Sequence, residues 1–563
     1  MPSAGRRESY RFDSGVGGFR HQFDGAMAAH DPVRAAALLE THCEALFADS
    51  EARVFATCVS QIPRSVRNAH PRTMLALAWR LTSEWRFEEA DDLLSAVRGR
   101  ISRTQASQAP HDLTELRLLL RHGEAMLAQV RDDMPQAEAG CRRLIEEFPA
   151  ASPYVRGSLF TGVLHALREQ YKLGEIDRYD ALARDCIQQS SNDHALAVHE
   201  SVAGSTFFMV GRCDGAISAL RSGLELVTGL CGAGHPLGAL TALPLAEVLY
   251  ERNVLEEAAA LTALYLPVAN ELGFVDQLVS GYLTQARLCR RRGDMDEALA
   301  VLERASIAAA RRGFRRLGAW AIAERVKLLA ECGRPRALKQ AIREAGGRVE
   351  PLRMSGTANV TTEKEARALA WVRVARAQCR VADALRVARS WRALALRTGA
   401  VRSLIRWEVL LATLLLLDGQ GRAAMRALGR AATAAAPGRF FASFLDEGSV
   451  VQRLLAEQPD GFAVFGETTR AFVARLMPMF GTSGVCRPVG GADALPVSTA
   501  ALSPKEIEVL ALAARGWRNQ DIGSRLSMSE ATVKWYLHQC YEKLGVTKRA
   551  FAADKARRFG LID

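Results

Sequence analysis

Apolar residues recur along most of the chain with the period of an amphipathic helix. In the segment that begins at Ala298, Val301 and Leu302 complete an i, i+3, i+4 pattern, which places the three side chains on one face of a helix. The residues that dominate the composition (Ala, Leu, Arg and Glu) also favour helices over sheets. The pattern therefore predicts an all-α fold.

A turn followed by a small residue recurs within this helical pattern. Segment 85–90 is repeated as 211–216, 253–258 and 293–298, and each segment ends at an alanine that opens an amphipathic run. Ala216, Ala258 and Ala298 are 42 and 40 residues apart, which is the length of a pair of antiparallel helices. Such pairs cannot bury their apolar faces alone. They are therefore predicted to stack into a TPR-like superhelix with a concave surface, in preference to a generic helical bundle.

Breaks in the helical period divide the chain. Residues 481–501 contain four glycines and two prolines without a helical period, which indicates a flexible linker. The predicted divisions are a flexible tail (1–20), a helical repeat region (21–190), a superhelical sensor or interaction domain (191–436), a helical extension (437–480), the linker (481–501) and a C-terminal module (502–563).

Composition excludes several classes of protein. The 563 residues are 49% hydrophobic and 24% charged, as in folded domains, and a net charge of +12 suits an anionic partner without identifying it. Eleven cysteines contain no CxxC pair, which predicts reduced thiols and a cytoplasmic location rather than disulfides or a zinc site. The longest apolar run, residues 409–417, is about half of what a membrane span requires, so no membrane association is expected.

The last sixty residues have the pattern of several short helices. Ser503 and Glu506 can form a capping box at the start of the first helix, and Gly516 can end it. Asn519 and Ser529 can cap a second and a third helix. This arrangement predicts a helix-turn-helix.

The third helix is predicted to have an apolar face and a polar face. The inward-facing residues are Val533, Leu537, Cys540 and Leu544. Lys534, Trp535 and His538 point the other way, and a cation, a large aromatic ring and a hydrogen-bonding ring on one exposed helix face suit the major groove of DNA. Two alternatives stay open: Trp535 could pack between helices, and His538 could be a bystander on a solvated face.

Contacts with DNA phosphates are expected around this helix. The residues placed to make them are Asn519, Ser529, Thr532, Lys543, Lys548 and Arg549. Residues 502–563 hold eleven Lys or Arg against seven Asp or Glu, a local excess of +4. DNA binding by one module is therefore expected to be salt-sensitive and weak.

This segment resembles the LuxR-type (GerE-type) helix-turn-helix over its whole length. The resemblance assigns Lys534, Trp535 and His538 to groove-facing positions. It also assigns structural positions to Glu506, Leu510, Gly516, Ile522, Val533, Leu537, Leu544 and Gly545. Two departures are Gly523, where Ala is usual, and Tyr536, where His is usual. We expect Gly523 to destabilise the second helix by about 1 kcal/mol.

The rest of the chain resembles the large, MalT-like LuxR-type regulators without their N-terminal nucleotidase. Residues 62–64 (Ile-Pro-Arg), 235–237 (His-Pro-Leu) and 444–448 (Phe-Leu-Asp-Glu-Gly) carry this resemblance. No G-x-x-x-x-G-K-[ST] phosphate loop is present, and the dipeptide Gly-Lys does not occur. We therefore expect neither an ATP-driven switch nor a cofactor, and we expect that the protein is not an enzyme. Neither a metal-binding histidine pair nor a nucleophile beside a base is found.

These observations predict a transcriptional regulator that binds double-stranded DNA as a homo-oligomer. The helical repeats are expected to sense a small molecule or a protein partner and to control the C-terminal module. The family resemblance implies activation and RNA polymerase as a partner. The alternative is a helical-repeat scaffold or titrating protein that uses the module mainly for dimerisation.

Overall fold

The structure is a computed structural model that describes most of the chain. The described residues are 16–48, 52–104, 110–331, 334–344, 360–457, 465–482, 504–526, 528–544, 546, 549–558 and 562. Every regular element within these ranges is a helix. The predicted all-α fold is therefore confirmed for the part of the chain that is described.

The first helices enclose two buried apolar clusters. They are α1 (Val16–Ala28), α2 (Pro32–Ala48), α3 (Ala52–Gln61), α4 (Arg64–Arg67), α5 (Pro71–Ser83), α6 (Phe87–Thr104) and α7 (Pro110–Val130). Helix α8 (Met134–Glu147) follows, and its buried residues Cys141 and Leu144 belong to the next cluster. Helix α1 begins within the predicted tail, because Phe19 and Phe23 lie one turn apart and are both buried. The prediction of a flexible segment is wrong for residues 16–20, and residues 1–15 lie outside the described part.

The middle of the chain is a superhelix of antiparallel helix pairs. Its inner helices are α9 (Pro153–Glu169), α11 (Asp193–Met209), α13 (Ala239–Glu251), α15 (Val275–Arg291), α17 (Arg315–Glu331), α19 (Thr362–Ala377) and α21 (Val401–Leu417). Its outer helices are α10 (Ile176–Ser190), α12 (Cys213–Cys231), α14 (Leu255–Tyr265), α16 (Met295–Arg312), α18 (Pro335–Glu344), α20 (Val381–Thr398) and α22 (Gly421–Ala435). Short 3-10 turns precede α10 (Leu173–Glu175) and α13 (Pro236–Gly238).

The turns within the pairs share one backbone feature. A residue with a left-handed φ opens the turn, for example 83° at Gly211 and 62° at Asn253. A buried residue follows five positions later, inside the next helix. These pairs are Trp85 and Ala90, Asp132 and Ala137, Tyr171 and Ile176, Gly211 and Ala216, Asn253 and Ala258, Gly293 and Ala298, Cys379 and Ala384, and Gly419 and Ala424. The repeat therefore extends beyond the segments that the sequence identified, to the turns at Asp132, Tyr171 and Cys379.

The superhelix is wound tightly enough to enclose an interior. The Tyr171 hydroxyl, just after α9, lies 3.1 Å from the Ser403 hydroxyl of α21. All thirteen residues of α13 are buried. The predicted concave surface is therefore a largely enclosed space lined by the inner helices.

The two predicted repeat domains share one core. A single buried apolar cluster extends from Leu118 to Leu476, so no packing boundary follows residue 190. The extension after residue 437 forms α23 (Ala442–Leu445), α24 (Ser449–Glu457), α25 (Glu467–Leu476) and α26 (Met479–Thr482). It docks on α13 through the Phe441 amide, which donates to the Glu251 carbonyl oxygen at 2.9 Å. The predicted linker lies outside the described residues from 483 onward.

The C-terminal module contains four helices around its own apolar core. They are α27 (Pro504–Ala514), α28 (Asn519–Leu526), α29 (Glu530–Leu544) and α30 (Arg549–Arg558). Helix α29 packs against the other three. This is the helix-turn-helix arrangement that the sequence predicts.

Two findings concern the expectations from composition. The eight cysteines whose side chains are described are all free thiols. None of the helices in the described ranges combines the length and the hydropathy needed to cross a membrane.

Candidate nucleic-acid interface

The buried face of α29 fixes how the helix is presented. Val533 and Leu537 lie in the module core together with Leu510 of α27 and Ile522 of α28, and each is at most 4% exposed. Glu506 is also buried. These residues are therefore buried, and their assignment to the family's structural positions stays a prediction. The side chain of Leu544, and Gly545 altogether, lie outside the described residues.

The ends of the helices are set by local hydrogen bonds and backbone conformation. The Ser529 hydroxyl accepts from the Thr532 amide at 3.0 Å, which confirms Ser529 as the N-cap of α29. Gly516 follows α27 with a left-handed φ of 89°, which confirms it as the helix stop. Helix α28 begins at Asn519 itself, and the Ile522 amide donates to the carbonyl of Arg518. The predicted cap at Asn519 is therefore wrong by one residue.

The opposite face of α29 is exposed. The Lys534 ammonium lies 2.8 Å from the carboxylate of Glu530, yet the lysine side chain is 64% exposed. Trp535 is 57% exposed, and its ring meets the ring of Tyr536 edge-on at 5.0 Å. His538 is exposed as well. Trp535 does not pack between helices of the module, so a cation and two ring side chains share one accessible face.

Arg549 has a different environment from the one that the sequence suggested. Its guanidinium donates to the carbonyl oxygens of Ala513 (2.9 Å) and Trp517 and to the side-chain oxygen of Asn519 (3.2 Å). Arg549 therefore ties α30 to the end of α27 and to the start of α28. Several of its donors are used inside the module, and a phosphate contact stays a prediction for Arg549 and Asn519.

The other predicted phosphate contacts are only partly described. Ser529 and Thr532 are exposed, and their hydroxyl oxygens lie 2.7 Å apart. The side chain of Lys543, and Lys548 altogether, lie outside the described residues. These roles also stay predictions.

Three further cations lie in this region. Arg515, Arg518 and Arg525 are exposed, and no acidic group pairs with them in the described part of the chain. Arg515 and Arg518 flank the turn at Gly516, and Trp517 between them is 38% exposed. Their position beside the start of a helix-turn-helix is the signal that sequence reasoning could have used.

Gly523 has a steric role. A Cβ at this position would lie 2.7 Å from the Met528 carbonyl oxygen, in the turn between α28 and α29. The expectation that Gly523 mainly weakens α28 is therefore incomplete, because glycine lets the turn approach the helix closely.

The interior of the repeats holds a second concentration of charge, which the sequence did not reveal. The Asp446 carboxylate accepts from the Tyr250 hydroxyl at 3.0 Å and pairs with Arg290 and Arg291 at 3.2 and 2.9 Å. Burial opposes ionisation of Asp446, but Arg291, Lys327 and Arg290 hold its pKa below the usual range. In the sequence of a single helix, these charged residues cannot be distinguished from charged residues on a solvent-exposed face.

One interior cluster has the residue types of a metal site. His165, Glu169 and Asp276 offer ligand atoms within 4.8 Å of one another. Arg316 and Arg168 already pair with both carboxylates, at distances of 2.6 to 2.9 Å. Because these arginines supply the positive charge that a cation would bring, the cluster is satisfied as an ion-pair network.

Two family models match the chain. The model of the MalT-like TPR region matches residues 123–459, which is more than half of the chain. The model of bacterial regulatory proteins of the luxR family matches residues 500–556. Both resemblances predicted from the sequence are confirmed.

Three relatives show how far the similarity extends. The probable transcriptional regulatory protein SgaR of Hyphomicrobium methylovorum is 47% identical over 51 residues, which are 9% of this chain and 24% of SgaR. The HTH-type transcriptional regulator AlkS of Alcanivorax borkumensis is 38% identical over 74 residues, 13% of this chain and 8% of AlkS. The serine/threonine-protein kinase PknK of Mycobacterium tuberculosis is 28% identical over 320 residues, 55% of this chain and 28% of PknK. The chain therefore spans less than a third of the length of each relative.

Proposed function

We propose that this chain, which belongs to the MalT-like TPR family, is a sequence-specific DNA-binding regulator of transcription. The observation that supports the proposal best is the division of α29 into two faces. Val533 and Leu537 are buried, while Lys534, Trp535 and His538 are exposed together. A module that served only for dimerisation would have no need of this exposed set.

In the proposed complex, α29 enters the major groove. Lys534 exchanges Glu530 for a guanine acceptor or a phosphate, which costs little because the pair is exposed. Trp535 packs on thymine methyl groups or sugars, and His538 reaches a base edge or a phosphate.

Phosphate contacts orient the module in this proposal. Arg515, Arg518 and Arg525 add to the predicted set because they are exposed. Lys543 and Lys548 belong to the same proposal on the sequence pattern alone.

The repeats are proposed to control the module. An effector, either a small molecule or a protein, shifts how the repeats hold or pair two copies of the module. Two modules on adjacent half-sites then gain affinity through effective concentration. Activation and recruitment of RNA polymerase are inferred from the family resemblance, and a cytoplasmic location is inferred from cysteines that form no CxxC pair.

No catalytic activity is part of the proposal. The similarity to PknK covers 28% of that kinase, so it carries no inference about phosphoryl transfer by this chain. An assay for phosphate transfer from ATP tests this point directly, and the expected result is no turnover.

Genome-wide DNA occupancy of the full-length chain tests the proposal. We expect the Lys534→Ala/Trp535→Ala variant to lose sequence-specific occupancy, because each good base contact contributes about 1–3 kcal/mol of discrimination. Lys505→Ala is the matched control. It removes a cation of the same module that also pairs with a glutamate within its helix, Glu508 at 2.9 Å, but it lies on α27.

The two readings of the module predict different outcomes. Loss of specific occupancy in the double variant but not in Lys505→Ala supports the assignment of α29 as the reading helix. Specific occupancy that persists in the double variant contradicts it. Absence of specific occupancy in the wild type would favour the scaffold alternative.

A further inference from the structure

The interior of the superhelix contains two adjoining cavities. The first has a volume of about 70 Å³ and is lined by residues of the seven inner helices α9 to α21. The second has a volume of about 50 Å³. Arg287, Trp320 and Arg406 line both, so the two form one space, the axial cavity. One water molecule needs roughly 10–15 Å³ of such volume, so the axial cavity has room for a small ligand of several non-hydrogen atoms.

Three arginines of the axial cavity have donors to spare, since each guanidinium carries five N–H groups. Arg402 donates to Glu247 through Nη2, and its buried Nε has no partner among the described residues. Arg287 donates to Glu324 through Nη2 at 2.8 Å, and its buried Nε is likewise unpartnered in the described part. Arg406 donates to a carboxylate through Nη1. Spare buried donors call for an acceptor in the space between them.

Two of the neighbouring carboxylates do not meet this need. Glu365 accepts from the Trp407 indole at 2.9 Å, the Tyr171 hydroxyl at 2.7 Å and Arg406 at 3.1 Å. The Glu247 carboxylate accepts from a serine hydroxyl at 2.8 Å and from an arginine. Because these acceptors are occupied, the remaining donors suit an anionic group supplied by a ligand.

One buried acceptor is also unused. The Oε1 atom of Glu324 has no hydrogen-bond partner among the described residues, although its Oε2 accepts from Arg287. A ligand that fills the space must therefore donate a hydrogen bond as well as accept several.

Aromatic rings hold two of the arginines in place. The Arg402 guanidinium lies over the Phe208 ring at 4.2 Å, and that of Arg406 lies over the Trp320 ring at 4.8 Å. These contacts fix the direction of the donors without using them. The positive charges of the three arginines also repel one another. Burial, and then the charges of Arg402 and Arg287, lower the pKa of Arg406.

We propose that the axial cavity binds a small organic carboxylate that also carries a hydrogen-bond donor, that is, a hydroxy acid or an amino acid. Its carboxylate accepts from Arg287, Arg402 and Arg406. Its hydroxyl or ammonium group donates to Glu324. The assignment rests on the proposed function, because it names the chemical class of the effector that the repeats receive.

Calorimetric titration of the full-length chain tests this site. The probes are small hydroxy acids and amino acids, each measured beside the amide in which an uncharged carboxamide replaces the carboxylate. Comparison of hydroxy acids with amino acids distinguishes the hydroxyl from the ammonium donor. We expect an acid to bind, its amide to bind at least tenfold more weakly, and Arg406→Gln to reduce the affinity for the acid at least tenfold. The matched control is Arg212→Gln, an exposed arginine that pairs with Asp177 on the outer surface.

A second readout guards against a variant that fails to fold. Amide hydrogen exchange of the wild type should show α15 and α21 protected by the acid, and Arg402→Lys, which keeps the charge but has fewer donors, should reduce this protection. The proposal is overturned if no acid of the panel binds, if amides bind equally well, or if a folded Arg406→Gln chain binds as the wild type does.

Failure of this assignment can be told apart from failure of the proposed function. The Lys534→Ala/Trp535→Ala chain should bind the acid with unchanged affinity, because its substitutions lie in the C-terminal module. A wild-type chain that binds the acid but no specific DNA would retain the cavity assignment and contradict the proposed function. A chain that binds specific DNA but no acid would contradict the cavity assignment and retain the proposed function.

Discussion

Ion pairs of nearly equal length occur in the superhelix interior and on the C-terminal module. Arg291 lies 2.9 Å from Asp446, and Lys534 lies 2.8 Å from Glu530. The interior side chains are 4% and 7% exposed, whereas those on α29 are 64% and 48% exposed. The two ion pairs therefore have nearly the same length, and they differ in the exposure of their side chains to solvent.

This difference decides what a charge can do. In the interior, a charge whose partner is removed stays buried without compensation, so loss of one partner destabilises the fold. On the module, water screens the pair and replaces either partner at little cost, so the cation is available to another anion. Paired charges of the same residue types thus support structure in the interior and suit binding on the module. The interior arginines proposed to bind an acid are those with donors left over after pairing.

The largest expected effect breaks an interior pair. Asp446→Ala removes the acceptor for Tyr250, Arg290 and Arg291, and we expect the free energy of unfolding of the repeats to fall by about 3–5 kcal/mol. Urea denaturation of the full-length chain followed by circular dichroism measures it. The control, Asp296→Ala, removes an 83% exposed partner of Arg334 and should change stability by about 0–1 kcal/mol. Equal effects of the two variants would contradict the comparison.

A pH titration sharpens the contrast within the interior. Burial opposes ionisation of Glu324, but Arg287 and Lys327 lower its pKa from 4.5 to about 2. Because the folded pKa is the lower one, the stabilisation is complete above pH 4.5 and is lost as the pH falls towards 2. The stability difference between wild type and Glu324→Gln should therefore be largest near neutral pH and disappear towards pH 2.

Glu303→Gln is the control for this titration, since Glu303 is 54% exposed beside Arg325. Its effect should stay within about 1 kcal/mol at every pH. A stability difference for Glu324→Gln that does not depend on pH would contradict the assigned ionisation.

Within the module, packing of the turn should matter more than its charges. Gly523→Ala places a Cβ 2.7 Å from the Met528 carbonyl, and we expect the module to lose about 1–3 kcal/mol, although alanine favours helices. Amide hydrogen exchange of α28 and α29 in the full-length chain measures the change. Ser524→Ala, at an exposed position of the same helix, should have little effect. Unchanged exchange in Gly523→Ala would mean that the turn can move aside.

The smallest expected stability effect is on the exposed face of α29. Lys534→Ala should change the free energy of unfolding of the module by about 0.5 kcal/mol or less, because it breaks only an i,i+4 pair. The same variant should reduce the slope of log K for DNA against log salt by about one. Fluorescence anisotropy at several salt concentrations measures the slope, and Lys505→Ala is the control. If Lys534→Ala destabilised the module as strongly as Asp446→Ala destabilises the repeats, the contrast between the two regions would be contradicted.

Local pattern was sufficient for some features and not for others. The turns at Gly211 and Gly293 carry a glycine, and those at Trp85 and Asn253 are followed by the same Glu-Glu-Ala, so the sequence reveals them. The turns at Asp132, Tyr171 and Cys379 carry neither signal and were missed. In the module, the residues that begin and end a helix lie within a few positions of that helix end. The roles of Ser529 as N-cap and Gly516 as helix stop could therefore be predicted. The role of Arg549 could not be predicted in this way, because it depends on a contact with Ala513, 36 residues away.

The sequence by itself determined that the chain is helical, that its helices repeat in pairs, and that a LuxR-type module follows them. These properties depend on spacing along the chain, which a helix converts directly into a face. Only the tertiary structure decided which charged faces meet solvent and which meet one another. Arg406 and Lys534 are both cations on amphipathic helices, and it is the winding of the superhelix that encloses the first and leaves the second exposed.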